Sequence, residues 1–335
     1  MKLSESIRKG VLHSVSGLII NKFKFKKRRD TFFFDDIGLD YVKLLEENRH
    51  STKLREISHK WGTMLFKSAL PDAVKRLPYN ISCNVMVRDT FVNLGYMTDM
   101  HIEKHDNRIK LTTKEETNVK KIGKNNLHIG MFMGMSTAFF DSDIEVVSVE
   151  CNSSGDCIYN FRLLDKKYNP NMKQKETYNK LNDIPHFNGA NIKEAIRTGL
   201  FSMKNGKIYF RGELITAMEN TLFHLFSNEG IMLSSLRKIS YNYFSSIVKE
   251  ASSDDKLKLL KNLLQIMGWG LVKFAVDNNT ILMTIDYPPF GLQAEKDNWQ
   301  FLCEVVCGYL WLINKEFTLK SLKVSGRRLL ALYSF

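Results

Sequence analysis

Two segments of the chain, TFVNLGYMTDMHIEKHDNRIKLTT at 90–113 and LLQIMGWGLVKFAVDNNTILMTI at 263–285, share one layout, and such a repeat constrains a fold more tightly than local propensity does. In each, an apolar helical stretch runs into a glycine–aromatic pair, Gly95-Tyr96 or Gly268-Trp269. A strand, a polar turn and a second strand follow, the second running from Arg108 to Thr113 or from Thr280 to Ile285. The turns His105-Asp106-Asn107 and Asp277-Asn278-Asn279 are built of residues that tolerate left-handed backbone and favour hairpins. Beyond each hairpin lies an apolar helix holding a glycine, 128–140 with Gly134 and 301–313 with Gly308, and then a strand, 144–151 or 317–324. Upstream, 40–70 and 213–251 return apolar residues every three or four positions and read as helical. The pattern predicts an α+β fold of two tandem modules, each with helices packed on a twisted antiparallel sheet. The expected segments are a basic N-terminal segment (1–31), a first module (32–164), a polar linker (165–205) and a second module (206–335).

A chain of 335 residues that is 44% hydrophobic has ample material for packed cores. No run reaches the roughly 18–20 apolar residues that span a bilayer, so the reading is a soluble, cytoplasmic protein without a transmembrane segment. Five cysteines are an odd count and too few for a disulfide scaffold, which makes reduced thiols the expectation. The net charge of +13 attracts nucleic acid, anionic lipid or an acidic protein partner. Its densest run, KFKFKKRR at 22–29, alternates as an edge strand with one solvated face would, and Lys24, Lys26, Lys27, Arg28 and Arg29 are the residues that would meet a nucleic acid. No helix-turn-helix, zinc-finger or RNP signature accompanies them.

The order of GWG, hairpin, Cys-x4-Gly-Tyr helix (Cys303 to Tyr309) and a strand ending in Cys-x3-Gly-Asp (Cys151 to Asp156) resembles the 4-vinyl reductase domain, over 32–164 and 206–335. That family includes hydrocarbon-binding proteins and sensor halves of aromatic-responsive activators, and its fold is related to the TRAPP vesicle-tethering subunits. Its sensor members hold zinc with a helix cysteine, a glutamate and two strand-end cysteines. The resemblance therefore implies Cys303, Cys151, Cys157 and Glu150 as zinc ligands, although neither module carries a full set. In the first module the helix position falls on Ile129, and in the second the strand end GRRLLALY at 326–333 has no cysteine. His101, Glu103 and His105 share one strand face and form a second ligand-like set, with exposed hairpin residues as the plainer alternative.

Walker, GxGxxG, GxSxG and HExxH motifs are all absent from the sequence, so no catalytic residue is assigned. Fourteen methionines and an aromatic helix fit an adaptable apolar interior. The resemblance implies a small apolar or aromatic ligand between helix and sheet, lined by Tyr96, Met131, Met133, Met135, Trp269, Tyr309 and Trp311. The other reading is an interaction scaffold that self-associates through its modules as TRAPP subunits do.

Overall fold

The structure, a computed structural model, describes residues 12–21, 28–69, 77–82, 84, 88, 91–92, 96–168, 184–185, 188–248, 252–291 and 297–335. In chain order its elements open with β1 (Leu12–Val15), β2 (Leu18–Asn21), β3 (Arg28–Phe34), α1 (Asp35–Glu47), α2 (Ser51–Ala69) and α3 (Tyr79–Ser82). They continue with β4 (Asp99–His105), β5 (Arg108–Lys114), α4 (Thr117–Ile122), α5 (Asn126–Phe140), β6 (Ile144–Cys151) and β7 (Cys157–Leu163). Next come α6 (Ile192–Arg197), β8 (Phe201–Lys204), β9 (Lys207–Phe210), β10 (Glu213–Glu219), α7 (Thr221–Glu229), α8 (Ser235–Ile247) and α9 (Ser253–Ile266). The chain closes with β11 (Leu271–Asp277), β12 (Thr280–Asp286), α10 (Gln300–Leu310), β13 (Thr318–Ser325) and β14 (Arg328–Ser334). The class is α+β, with antiparallel sheets. Among the described residues, no helix is long and apolar enough to cross a membrane.

Two compact units emerge, one holding residues 42–168 and the other 12–41 with 184–335. The first is built on the four-stranded sheet β4-β5-β7-β6, the second on β11-β12-β14-β13 and a six-stranded sheet, β1-β2-β3-β10-β9-β8. Both four-stranded sheets thus consist of two hairpins with a helix between them, α5 or α10. Both also carry a register shift in the third strand, at Val146/Ser148 and at Leu319/Ser321. The hairpin turns form where Asn and Asp permit, with Asp106 at φ 51° and Asn278 at φ 43°.

In the first unit, α5 crosses α2 at close range because neither helix puts a side chain at the crossing. A Cβ on Gly62 would lie 2.5 Å from the Met131 carbonyl oxygen, and one on Gly134 would lie 2.5 Å from the Thr63 nitrogen. Overpacking of this kind costs about 1–3 kcal/mol. Polar groups then reach across: Ser58 Oγ donates to the Asn126 carbonyl at 3.1 Å, and His59 Nε2 lies 2.9 Å from Thr137 Oγ1. In the second unit, Gly308 of α10 gives α8 the same clearance, with Ser240 Cβ 2.7 Å from where its Cβ would stand. Ser240 Oγ donates to the Val305 carbonyl at 2.6 Å, and Arg237 forms a two-pronged ion pair with buried Glu304.

The expected GWG segment is a joint within the second unit. Gly17, at the β1–β2 turn, exchanges backbone hydrogen bonds with Gln265 (2.8 Å) and Gly270 (2.9 Å), an approach so close that a Cβ on Gly17 would lie 2.6 Å from the Gly270 carbonyl carbon. Trp269 is 2% exposed and donates its indole N–H to the Phe32 carbonyl at 3.1 Å. The corresponding Gly95 lies outside the described residues.

Two expectations are corrected. The stretch 213–219, read as the start of a helical region, is β10, because it pairs with β3 from Ile215↔Phe34 to Glu219↔Asp30. The basic run read as an edge strand lies outside the described residues at 22–27, and its last two residues, Arg28 and Arg29, open β3, an inner strand between β2 and β10 of the second unit.

His59 gives the first unit a pH-dependent contribution. It is 8% exposed, it packs against the Tyr168 ring at 4.5 Å, and burial pulls its pKa down to about 4 from 6.5, against a smaller opposing pull from Asp143. The folded state therefore favours the neutral ring, so the unfolded chain binds more protons between those values. Stability is predicted to be complete above pH 6.5 and to fall as pH drops toward 4, by about 3 kcal/mol in all. Urea unfolding across that range should show the acid slope in the wild type and a flatter one in His59→Gln; equal slopes would contradict the assignment.

Candidate functional site

Two interiors stand out, one polar and one apolar. The polar one lies in the first unit, where Glu115 adopts left-handed backbone (φ 51°) after β5 and turns Glu116 inward. Glu116 is fully buried, and its carboxylate accepts from Thr113 Oγ1, from Tyr159 Oη at 2.9 and 3.1 Å, and from His128 Nδ1 at 2.5 Å. The other imidazole nitrogen of His128 is 2.9 Å from Asn118 Nδ2, while Asn125 Oδ1 caps α5 by accepting the His128 backbone N–H at 3.0 Å. Burial, and then the charge of Glu116, hold the Tyr159 hydroxyl well above its ordinary pKa, which keeps it a donor. Three donors thus converge on one buried carboxyl group.

The strand-end cysteines sit against this network. β6–β7 register sets Cys151 directly opposite Cys157, with Cα atoms 4.2 Å apart, and the two form a disulfide. This corrects the expectation of reduced thiols, since C-x5-C spacing across a hairpin end presents the two sulfurs to each other rather than to an ion. The turn they enclose is tied to the carboxylate segment: the Gly155 carbonyl accepts the Glu116 N–H at 2.8 Å, and Asp156 Oδ1 accepts the Glu115 N–H at 3.1 Å. That backbone bond is the main reason the Asp156 carboxyl is held below its ordinary pKa.

The zinc set implied by the resemblance does not fit these residues. Both strand sulfurs are in the disulfide, Glu150 is exposed on its strand, and Cys303 is wholly buried with its thiol pushed up to about 12 by burial. Cys307 is similarly pushed up to about 11 and donates to the Phe317 carbonyl at 3.3 Å. Among the described residues, no three metal-ligating side chains converge. His101 and Glu103 lie 3.4 Å apart, and His101 and His105 are exposed.

Arg29, expected on a basic surface, is 1% exposed and spends its guanidinium on the carbonyls of Pro288 (2.9 Å) and Tyr287 (2.5 Å), which corrects its place among nucleic-acid contacts. Lys24, Lys26 and Lys27 lie outside the described residues, as does the side chain of Arg28.

The apolar interior belongs to the second unit. Phe33 packs against Phe223, Trp269 and Phe301 at 4.9–6.2 Å, while Phe34 packs against Phe244 at 5.0 Å. Among these rings is a void of about 10 Å³, walled by Phe33, Phe34, Phe244, Trp269, Met267 and Val305 with other aliphatic side chains, and no polar surface faces it. Of the expected ligand-lining residues, Trp269 is on this wall. Tyr309 is buried beside it, 4.8 Å from Phe244, with its hydroxyl donating to the Lys256 carbonyl. Trp311 is half-buried and donates to the Phe317 carbonyl at 2.8 Å. In the first unit Met131, Met133 and Met135 are buried in the core and Tyr96 is half-buried. Sequence reading missed Glu116, in the polar interval after the hairpin, and His128, the first residue of the apolar helix read at 128–140; Asn125, a helix-capping type three positions before His128, was the signal available.

No family model matches the chain, and no curated protein does.

The Glu116 network generates a stability prediction. Glu116→Gln should destabilise by about 2 kcal/mol, since its amide nitrogen would face a buried donor left without an acceptor, and Tyr159→Phe by about 1 kcal/mol. The double variant should cost less than the sum. Chemical denaturation reads all three, and a Glu116→Gln stability equal to wild type would contradict a structural role for this network.

Proposed function

We propose that the protein is a non-catalytic binder of a small apolar or aromatic ligand, seated in the second unit, and that it consists of two tandem modules of 4-vinyl-reductase type. Two features support the tandem reading: the common strand order of the four-stranded sheets, and the helix between hairpins crossing a second helix at glycine in each unit. The observation that carries the ligand reading is the aromatic-walled void at Phe33, Phe34, Phe244 and Trp269. The indole N–H of Trp269 is already used by Phe32, so the wall offers carbon and the Met267 thioether alone. A site of this composition rejects polar molecules, because each would lose its hydrogen bonds to water without replacement. At about 10 Å³ the void holds no organic molecule as it stands, and flexible Met267 is the wall residue best able to yield.

A second reading, an interaction scaffold, has its own observation. On the sheet face opposite α10, Leu282, Leu330 and Leu332 alternate with buried neighbours and remain half-buried, whereas the matching face of the first unit presents Lys110, Asn160 and the Arg162–Glu145 ion pair. Protein isolated from its own host separates the two. Its native mass spectrum should exceed the denatured mass by a small organic molecule, and Val306→Leu, which fills the void, should abolish that excess while keeping the wild-type circular dichroism. A bare-chain mass with dimer or larger peaks would sink the ligand reading in favour of the scaffold.

A further inference from the structure

The disulfide between Cys151 and Cys157 closes a ring across a sequence separation of six, at the end of a hairpin already held by its own ladder and by β5. The matching hairpin of the second unit, β13–β14, closes through a tight turn at Gly326 and Arg327 with no sulfur at all. The architecture thus closes a hairpin of this kind without a covalent bond, and a ring so short removes less freedom from the unfolded chain than a long one would. What the bond does fix is a turn with two attachments to the buried carboxylate segment, Gly155 O to Glu116 N and Asp156 to Glu115 N. Cys157 is also directly opposite Thr113, and Tyr159 follows two positions later on the same strand face; both are donors to Glu116. A Cβ on Gly155 would lie 2.8 Å from the Glu116 carbonyl oxygen, so the turn has no slack against this segment.

We propose that Cys151–Cys157 is a reversible redox site, and that its state is passed through the 152–156 turn to the Glu116–His128 pair and so to the N-terminus of α5. Cys151 is half-buried and Cys157 is 1% exposed, so an incoming dithiol reaches the Cys151 sulfur. Its thiolate attacks Cys151 Sγ and forms a mixed disulfide. The electron pair of the broken bond goes to Cys157 Sγ, which takes a proton from water. The second thiol of the reductant then attacks its own sulfur in the mixed disulfide and releases Cys151 as a thiolate, which is protonated in turn. Two electrons and two protons enter the protein, and the reductant leaves as its disulfide. Cys303 and Cys307, buried and held protonated, take no part.

The test uses the whole wild-type chain, equilibrated in buffers of reduced and oxidised dithiothreitol, with peptide-level alkylation mass spectrometry to separate Cys151 and Cys157 from the other thiols. The expected result is a single two-electron transition of this pair that reverses on reoxidation, with the far-ultraviolet circular dichroism unchanged. Amide exchange at Glu115, Glu116 and His128 should accelerate by about tenfold or more in the reduced form, while Gln300–Leu310 is unaffected. A Cys151→Ser/Cys157→Ser variant should match the reduced wild type. Three results would overturn the proposal: a pair that resists reduction until the protein unfolds, reduction that melts the first unit, or reversible reduction that leaves exchange at Glu116 and His128 unchanged.

Discussion

Each unit depends on a helix crossing where glycine replaces a side chain. Gly62 and Gly134 let α2 and α5 meet backbone to backbone, and Gly308 does the same for α10 against α8. At that spacing the Ser240 hydroxyl reaches the Val305 carbonyl of the other helix, and the Ser58 hydroxyl lies between the Leu54 carbonyl of its own helix at 2.6 Å and the Asn126 carbonyl at 3.1 Å. The other face of α5 or α10 is then free to cover one face of a four-stranded sheet, and what fills the space between helix and sheet gives each unit its character.

The fillings differ. In the first unit a carboxylate occupies the layer, satisfied by a threonine, a tyrosine and a histidine. Polar interiors of this kind fix one arrangement, because a partly satisfied network costs more than an apolar core. In the second unit the rings and aliphatic chains gather on the side of α10 that meets α8, α9 and β3 of the six-stranded sheet, and a gap is left among them. An apolar interior tolerates repacking far better than a charged one. That asymmetry is the physical basis of the two proposals, an apolar ligand in the second unit and a redox-linked polar network in the first.

Much of the local architecture was legible in the sequence. The Asn/Asp turns, the two glycine-bearing helices and the strand at 144–151 are where periodicity and turn chemistry put them. What failed did so because distant pairing overrides local signal. ELITAME at 213–219 runs into helix-forming residues, but it pairs with β9 across the Arg211-Gly212 turn and with β3, some 180 positions away, and is a strand. Arg29 read as surface charge because nothing local announces the Tyr287 and Pro288 carbonyls that accept its N–H groups. C-x5-C spacing admits metal or disulfide equally, and the β6–β7 register decides between them. Glu116 and His128 are twelve positions apart and match no motif; a strand, a left-handed residue and a helix cap bring them together.

The proposed apolar guest belongs to the second unit and not to the first. Methyl NMR spectra of the labelled whole chain, recorded as indole is added, address this directly. Leu302, Val305 and Val306, which line the void, should shift saturably together, while the methyls of Met131, Met133 and Met135 stay in place. Saturable shifts confined to the first unit, or none in either, would contradict it.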